Sequence, residues 1–274
     1  MSVATYAAAQ LLRAIPRVRL SRAVGRLCDA PLPAAVSGAI AGIYSRVYDV
    51  DLNEVAERES PYGTFDEFFT RPLRPGARVI SDDVVVSPAD GKVESSGPVD
   101  PTGRIWVKGR PYVAGELIGS EADAARFTGG SFLVVYLSPR DYHRVHSPVD
   151  GKLALVRGIP GDLFPVNSIG ERHVPKLFVR NSRVAMFIDT PGLGRVAVVM
   201  VAAVIVGRIS VKAIDAPAVP PGDHVIDAPL ELRRGDEIGT FHIGSTAVLL
   251  VEPGIRLGRE LGPIRYGQSL LRTS

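Results

Sequence analysis

The chain is poor in cysteine, since Cys28 is the single cysteine among 274 residues. One thiol permits no internal disulfide, which excludes the disulfide framework of a small secreted protein. Long apolar runs are missing as well. The longest wholly apolar stretch, residues 196–207, is too short as a helix to cross about 30 Å of hydrocarbon. Its Val, Ile and Ala content predicts a buried strand or strand pair instead.

Acidic residues are missing from the first 28 positions, which contain five arginines. The rest of the chain has 27 basic and 29 acidic side chains. A nucleic-acid binder normally carries a basic stripe over its body, so we expect no nucleic-acid partner. A basic leading segment on a near-neutral body is typical of binding to an anionic membrane surface. An arginine-rich start is also typical of transit peptides, so a targeting role for part of this segment stays open.

The first 75 residues predict helices, at 3–15, 18–28, 33–48 and 64–70. In the second of these, Leu20, Val24 and Leu27 fall on one side of the helix. The opposite side carries Arg19, Arg22 and Arg26. Such a basic amphipathic helix can lie in a lipid interface, or it can pack as a surface helix on its own domain.

From about residue 76 the pattern changes to strand-like runs separated by turn residues, at 84–86, 105–107, 132–137, 153–156, 184–189, 196–206 and 247–251. The motif Ser-Pro-x-Asp-Gly-Lys occurs twice, at 87–92 and 147–152, and each copy enters a strand. We therefore predict an α+β protein. A helical N-terminal membrane-associating segment (1–75) precedes a β-rich, barrel- or sandwich-like domain (76–274) with pseudo-duplicated halves.

Three short motifs contain residues that could perform chemistry. His143 and His146 form a His-x-x-His pair, which suits acid–base work because imidazole titrates near neutrality. A metal would need a third ligand, and structural hydrogen bonding is the plain alternative. Asp90 could orient a histidine, or it could simply cap its own turn. Gly244 before Ser245 allows backbone geometries in which the serine reaches the preceding carbonyl, although Gly-Ser-Thr is also an ordinary turn.

Longer motifs occur in a characteristic order along the chain. They are residues 64–74 (TFDEFFTRPLR), 88–91 (PADG), 136–146 (YLSPRDYHRVH), 160–167 (PGDLFPVN) and 244–246 (GST). In this combination the chain resembles the phosphatidylserine decarboxylases, pyruvoyl-dependent enzymes of the bacterial and mitochondrial membrane type. The basic helical start matches that resemblance too.

The resemblance implies a proenzyme that cuts itself between Gly244 and Ser245. Ser245 would attack the carbonyl of Gly244, and β-elimination and hydrolysis would follow. The products would be a beta chain, 1–244, and an alpha chain, 245–274, whose N-terminus is a pyruvoyl group. The implied charge relay is Ser245 with His146 as base and Asp90 as its orienting partner.

The resemblance also implies the reaction of the mature enzyme. The covalent pyruvoyl cofactor would form a Schiff base with phosphatidylserine and accept electrons as CO₂ leaves, which yields phosphatidylethanolamine without a metal. His143 is the candidate proton donor, although the two histidines could exchange roles. Tyr136 and Phe164 are candidate pocket residues. We expect a peripheral protein on the cytoplasmic face of the cell membrane, with the two chains paired after cleavage and a higher homo-oligomer left open.

Other functions remain as alternatives at this point. Paired Ser-Pro-x-Asp-Gly-Lys turns also occur in carrier modules, where Lys92 or Lys152 would bear lipoyl or biotin, or His143 a phosphate. A zinc hydrolase would use His143 and His146 as ligands. A pyruvoyl enzyme that acts on a soluble amino acid is a further alternative, because the same charge relay would serve it. Only the lipid-surface features of this chain argue against it.

Overall fold

The structure is a computed structural model that describes residues 17–166, 173–203, 208–242 and 245–271. Its helices are α1 (Arg17–Cys28), α2 (Ala34–Tyr48), α3 (Phe65–Phe69), α4 (Ala114–Ile118), α5 (Glu121–Ala124) and α6 (Leu177–Arg180). The helices predicted at 18–28, 33–48 and 64–70 are therefore confirmed. The helix predicted at 3–15 lies outside the described residues.

Strands dominate the remainder. They are β1 (Gly91–Pro98), β2 (Arg104–Val107), β3 (Arg110–Val113), β4 (Ser131–Leu137), β5 (Arg144–His146), β6 (Gly151–Ile159), β7 (Arg183–Thr190), β8 (Gly194–Ala202), β9 (Arg208–Val211), β10 (Gly222–Leu232), β11 (Glu237–His242), β12 (Ser245–Val251) and β13 (Gly262–Ile264). The α+β prediction is confirmed in this sense: the described chain is rich in sheet, and its longer helices precede the strands.

The main sheet is antiparallel, with the strand order β10-β6-β7-β8-β12-β4-β1-β13. It is open in the described part of the chain, with β10 and β13 at its edges, so the barrel alternative is wrong for these strands. A smaller sheet has the order β5-β11-β9, and β2 pairs with β3. Strand β12 lies in the interior of the main sheet between β8 and β4, which places Ser245 opposite Ala202 and Leu137.

The central strands are buried because their sequences are almost wholly apolar. Residues 196–202 of β8 are all buried, as are most of β4 and β12. A strand that is covered on both faces reads as a continuous apolar run rather than an alternating one, which is why residues 196–206 stood out in the sequence. The predicted strand extends to 206, but residues 204–207 lie outside the described part.

The two Ser-Pro-x-Asp-Gly-Lys turns bind each other. The N–H of Val86, just before the first motif, donates to the carbonyl of Pro148 in the second at 2.9 Å. Reciprocally, the N–H of His146 donates to the carbonyl of Pro88 at 2.8 Å. This exchange lays His146 against the turn that carries Asp90. Duplication of whole halves stays a prediction.

Helices α1 and α2 present apolar side chains outward and serines inward. Ser21, Ser37 and Ser45 are buried, whereas Leu27 is 71% exposed and Val47 is 69% exposed. This distribution is the reverse of an ordinary surface helix, which buries its apolar stripe. None of the described helices is both long and apolar enough to span a membrane.

Candidate active site

His146 lies at the end of β5, where it is buried and hydrogen-bonded through both ring nitrogens. Its Nδ1 is 2.6 Å from the carbonyl oxygen of Gly235, and its Nε2 is 3.3 Å from the hydroxyl of Tyr142. Because a carbonyl only accepts, Nδ1 carries the ring proton. Nε2 is unprotonated, and its lone pair accepts from the hydroxyl of Tyr142. A backbone carbonyl thus fixes the tautomer that a general base requires.

Burial lowers the pKa of His146 below its ordinary value. The Gly235 carbonyl and the negative charges of Glu237 and Asp90 oppose that shift. The imidazole is therefore neutral near pH 7, and nearby carboxylates stabilise the cation it would form on accepting a proton.

Asp90 is held by a cation and not by the histidine. The Arg78 guanidinium approaches both oxygens of its carboxylate, with the shortest contact, from Nη2 to Oδ2, at 2.5 Å. The backbone N–H of Tyr266 donates to Oδ1 at 2.8 Å. Arg78 also donates to Glu54 at 2.7 Å. None of the contacts described for Asp90 is with His146. Asp90 therefore acts on His146 only through the negative charge of its carboxylate.

His143 is fully buried in the loop before β5. Its Nδ1 donates to the carbonyl of Asp141 at 2.8 Å, and its ring packs on Phe69 of α3 with centroids 4.2 Å apart. Its Nε2 is buried and has no hydrogen-bond partner among the described residues. Burial, with a smaller effect of the Arg71 charge, lowers the pKa of His143 to about 3. The side chain is a neutral acceptor with an unused lone pair.

The predicted cleavage site adjoins these groups through the backbone. The N–H of Phe241 donates to the carbonyl of His143 at 2.9 Å, and β11 ends at His242. The sheet register continues from Ser245, which begins β12. Gly244 and the side chain of Ser245 lie outside the described part of the chain.

Tyr136 lines a cavity of about 390 Å³ beside Asp90. The cavity wall carries both signs of charge, since Lys92 and Arg140 lie there with Asp49 and Asp141. Tyr142 lines it as well. The registers of β1 and β12 pair Lys92 and Thr246 with Tyr136, so this cavity lies at the end of the sheet where Ser245 begins its strand. Tyr136 thus lies where a pocket residue would be.

Phe164 is not among the residues that line this cavity. It is buried, and the side chain of Asn181 bonds both its N–H and its carbonyl. The neighbouring Gly161 and Leu163 line a second cavity, of about 250 Å³, together with Ala202, the cross-strand neighbour of Ser245. The loop therefore borders a cavity next to β12, whereas Phe164 itself anchors the loop.

Three residues of this region carry no signal in the sequence pattern: Arg78, Gly235 and Tyr266. Arg78 and Tyr266 fall in polar, turn-rich stretches, where a charged or aromatic side chain is normally solvated. Gly235 contributes through its carbonyl, which every residue possesses. The described residues contain no group of three or more His, Cys, Asp or Glu side chains arranged to hold a metal.

Comparison with known proteins shows the family to which this chain belongs. The model of the phosphatidylserine decarboxylase family matches residues 65–272. A phosphatidylserine decarboxylase proenzyme of Anaeromyxobacter sp. (strain K) is 42% identical over 271 residues, which cover 94% of this chain and 95% of the relative. The proenzyme of Acidovorax ebreus (strain TPSY) is 40% identical over 270 residues, with 93% and 94% covered. That of Myxococcus xanthus (strain DK1622) is 36% identical over 274 residues, with 93% and 97% covered. The chain therefore belongs to the phosphatidylserine decarboxylase family.

Proposed function

We propose that this chain is a self-processing proenzyme that decarboxylates phosphatidylserine to phosphatidylethanolamine. The observation that carries the proposal is the state of the two histidines. Both are buried, both donate through Nδ1 to a backbone carbonyl, and both keep a lone pair on Nε2. A pair of neutral acceptors of this kind suits two successive proton transfers at one centre.

Self-cleavage is assigned to Ser245, His146 and Asp90. The hydroxyl oxygen of Ser245 attacks the carbonyl carbon of Gly244 while Nε2 of His146 takes the hydroxyl proton. That proton passes to the departing amide nitrogen, so the peptide bond becomes an ester. Loss of the Cα proton of Ser245 then breaks the Cβ–O bond and releases Gly244 as a carboxylate. Water hydrolyses the remaining dehydroalanine to a pyruvoyl group and ammonia.

The two carboxylates near His146 support its role as base. Asp90 and Glu237 both raise the pKa of the imidazole against the effect of burial, so they stabilise the imidazolium formed during attack. The hydroxyl of Tyr142 lies 3.3 Å from Nε2 of His146. This hydrogen bond must break before Nε2 can accept the proton of the serine hydroxyl. In this scheme Asp90 acts through its charge, and Gly235 holds the tautomer.

The pyruvoyl group would supply the electron sink for loss of CO₂. Nε2 of His143 has no hydrogen-bond partner among the described residues, so it is free to carry a proton to the substrate. Because burial lowers the pKa of this imidazole, its cation releases a proton readily. We assign Nε2 of His143 to donate a proton to the substrate carbon after CO₂ departs. His143 is then the proton donor of the mature enzyme.

Substrate binding is assigned to the 390 Å³ cavity. Its size lies in the range of small-molecule sites. Its wall carries five acidic and five basic side chains, and among the basic ones Lys92 and Arg140 would bind the anionic groups of the headgroup. Tyr136 on the same wall offers a ring and a hydroxyl.

The chains would stay together after cleavage because β12 belongs to the alpha chain. This strand is paired along its length with β4 and β8 of the beta chain. We therefore propose that the mature enzyme is a beta–alpha heterodimer that shares one sheet.

Membrane contact is assigned to α1 and α2. Val36, Ile40, Ile43 and Val47 recur at helical spacing on α2, and all four are exposed. Exposed Arg19 and Arg26 on α1 would face anionic headgroups while the apolar stripe enters the interface. We propose a peripheral protein on the cytoplasmic face of the cell membrane, where its substrate's acyl chains remain in the bilayer.

The test uses purified protein and vesicles that contain phosphatidylserine. Mass spectrometry of the lipids should find phosphatidylethanolamine with the wild type and none with Ser245→Ala. Free serine, offered in the same buffer, should stay unchanged. A fully cleaved wild type that converts serine and leaves phosphatidylserine intact would overturn the proposed substrate.

A further inference from the structure

His242, the final described residue of β11, has its ring fixed at both nitrogens. Its Nδ1 lies 2.9 and 2.8 Å from the two carboxylate oxygens of Asp66 on α3. Its Nε2 lies 3.0 Å from the hydroxyl of Ser210 on β9. Nη2 of Arg208, which can only donate, lies 3.0 Å from the same Nδ1. The two contacts to Asp66 are shorter and a carboxylate only accepts, so we place the ring proton on Nδ1, where it is donated to Asp66. Three separate elements thus converge on one imidazole.

Arg208 extends this cluster to α1. Its Nη2 is 2.8 Å from Asp66, and its two terminal nitrogens are 2.7 and 2.8 Å from the carboxylate of Asp29, the residue after α1. Burial alone would lower the pKa of Arg208, but these acidic partners raise it. We call the five residues Asp29, Asp66, Arg208, Ser210 and His242 the His242 clamp.

The clamp lies two residues before the peptide bond that self-cleavage would cut. On the other side of that bond, the backbone of Ser245 is paired with both Leu137 and Ala202. From His242 to Ser245 the chain makes three residue steps, which span at most about 11 Å when extended. The bond that would be cut therefore lies within two residues of a backbone that is held on each side.

We propose that His242 and Asp66 are positioning residues for self-cleavage, which hold the Gly244 carbonyl in the orientation that Ser245 attacks. This inference rests on the self-cleavage proposed above. Attack within one chain depends on alignment of the reacting atoms, and a displacement of about 1 Å can cost about 10²-fold in rate. Neither side chain exchanges a proton in this role. Once the bond is cut, the mature enzyme no longer needs that orientation.

The experiment follows cleavage of newly translated chain by intact mass over time. The variants are His242→Leu, Asp66→Ala, their double variant, and His242→Asn, whose amide N–H can replace the Nδ1 donor toward Asp66. A matched pair on β10, His224→Leu and Asp223→Asn, controls for loss of a histidine and an acid elsewhere. After cleavage is complete, kcat per pyruvoyl group is measured for each protein.

We expect His242→Leu and Asp66→Ala each to slow cleavage by about 10-fold or more. The double variant should slow cleavage by less than the product of the two single effects, because both changes break the contact between His242 and Asp66. His242→Asn should recover most of the rate, and kcat per pyruvoyl group should be unchanged throughout. The β10 controls should cleave like the wild type.

Three results would overturn the clamp while leaving the proposed function intact. They are wild-type cleavage by His242→Leu, equal slowing by the leucine and asparagine variants, and a parallel fall in kcat per pyruvoyl group. A parallel fall in kcat would mean that the substitution disturbs the fold as a whole and does not act on the scissile bond alone. A wild type that is never cleaved would instead refute the proposed function itself.

Discussion

The ring of Tyr266 lies parallel to the ring of His146, with centroids 3.8 Å apart and 2° between the planes. The backbone N–H of the same tyrosine donates to Asp90 at 2.8 Å. Tyr266 therefore touches two of the three residues assigned to self-cleavage. It belongs to the segment that would become the alpha chain, so its contacts would also connect the two chains after the proposed cut.

Replacing Tyr266 should separate the effect of its ring from that of its backbone. Aromatic stacking contributes about 0.5–1.5 kcal/mol, so Tyr266→Ala should slow self-cleavage by about 2- to 10-fold. Tyr266→Phe keeps the ring and should cleave at close to the wild-type rate. The time course of chain cleavage by intact mass measures both, and equal rates for alanine and wild type would refute a role for the stack.

Arg78 should be essential to stability because it neutralises a buried carboxylate. The side chains of Arg78 and Asp90 are 4% and 9% exposed. Removing one partner of a buried ion pair costs about 3–5 kcal/mol, so Arg78→Met should lower the free energy of unfolding by about that amount. Urea denaturation in the uncleaved Ser245→Ala background measures it. Arg78→Met with Asp90→Asn should recover part of the loss, and no recovery would contradict the proposed origin.

The pH dependence of self-cleavage should report the pKa of His146. The base works when neutral, so the rate should rise with pH through that pKa and then level off. Because burial lowers the pKa from its ordinary 6.5, the midpoint should lie below pH 6.5.

Two substitutions should move that midpoint in opposite directions. Glu237 raises the pKa of His146 and Lys212 lowers it, so Glu237→Gln should shift the midpoint down and Lys212→Met should shift it up. Cleavage of newly translated chain after a jump to each pH gives the profiles. A midpoint above 6.5, or shifts of the reverse sign, would show that another group is the base.

Membrane binding should depend on the exposed stripe of α2. Ile43→Ser with Val47→Ser should strongly reduce pelleting with vesicles that contain anionic lipid, and removal of residues 1–28 should abolish it. Both proteins should still cleave themselves, because neither change touches the proposed charge relay. Val79→Ser with Leu261→Ser, two exposed apolar positions outside α1 and α2, is the matched control. Undiminished pelleting of the α2 variant would contradict this assignment.

The elements best predicted from the sequence are those whose own residues already determine whether they are buried. The apolar, β-branched runs of β4, β8 and β12 favour strands covered on both faces. Thr64 before α3 is an N-cap, and its hydroxyl accepts from the N–H of Glu67 at 3.0 Å. By contrast, residues 84–86 were predicted to form a strand and contribute only an isolated bridge, from Val86 to Ser269. The N–H of Val86 binds the second proline turn instead, which no local pattern encodes.

The candidate site was predictable in its residues and not in its connections. The sequence indicates Asp90, His143 and His146, but it suggests that Asp90 orients a histidine. The folded chain gives that orienting contact to the Gly235 carbonyl and pairs Asp90 with Arg78. These partners come from distant parts of the chain, and β10 is likewise unpredicted because its residues are largely exposed and polar. The partner of Asp90, the contact that orients His146 and the formation of β10 all depend on tertiary contacts, which leave no pattern in the local sequence.

In the proposed function the chain builds its own reactive group at Ser245. Intact mass spectrometry of the purified wild type beside Ser245→Ala tests this. We expect the wild type to be two chains, 1–244 and 245–274, with the shorter one carrying a pyruvoyl group in place of its N-terminal serine. We expect Ser245→Ala to be one uncut chain. A wild type that remains one unmodified chain of 274 residues after native folding would contradict the proposed function.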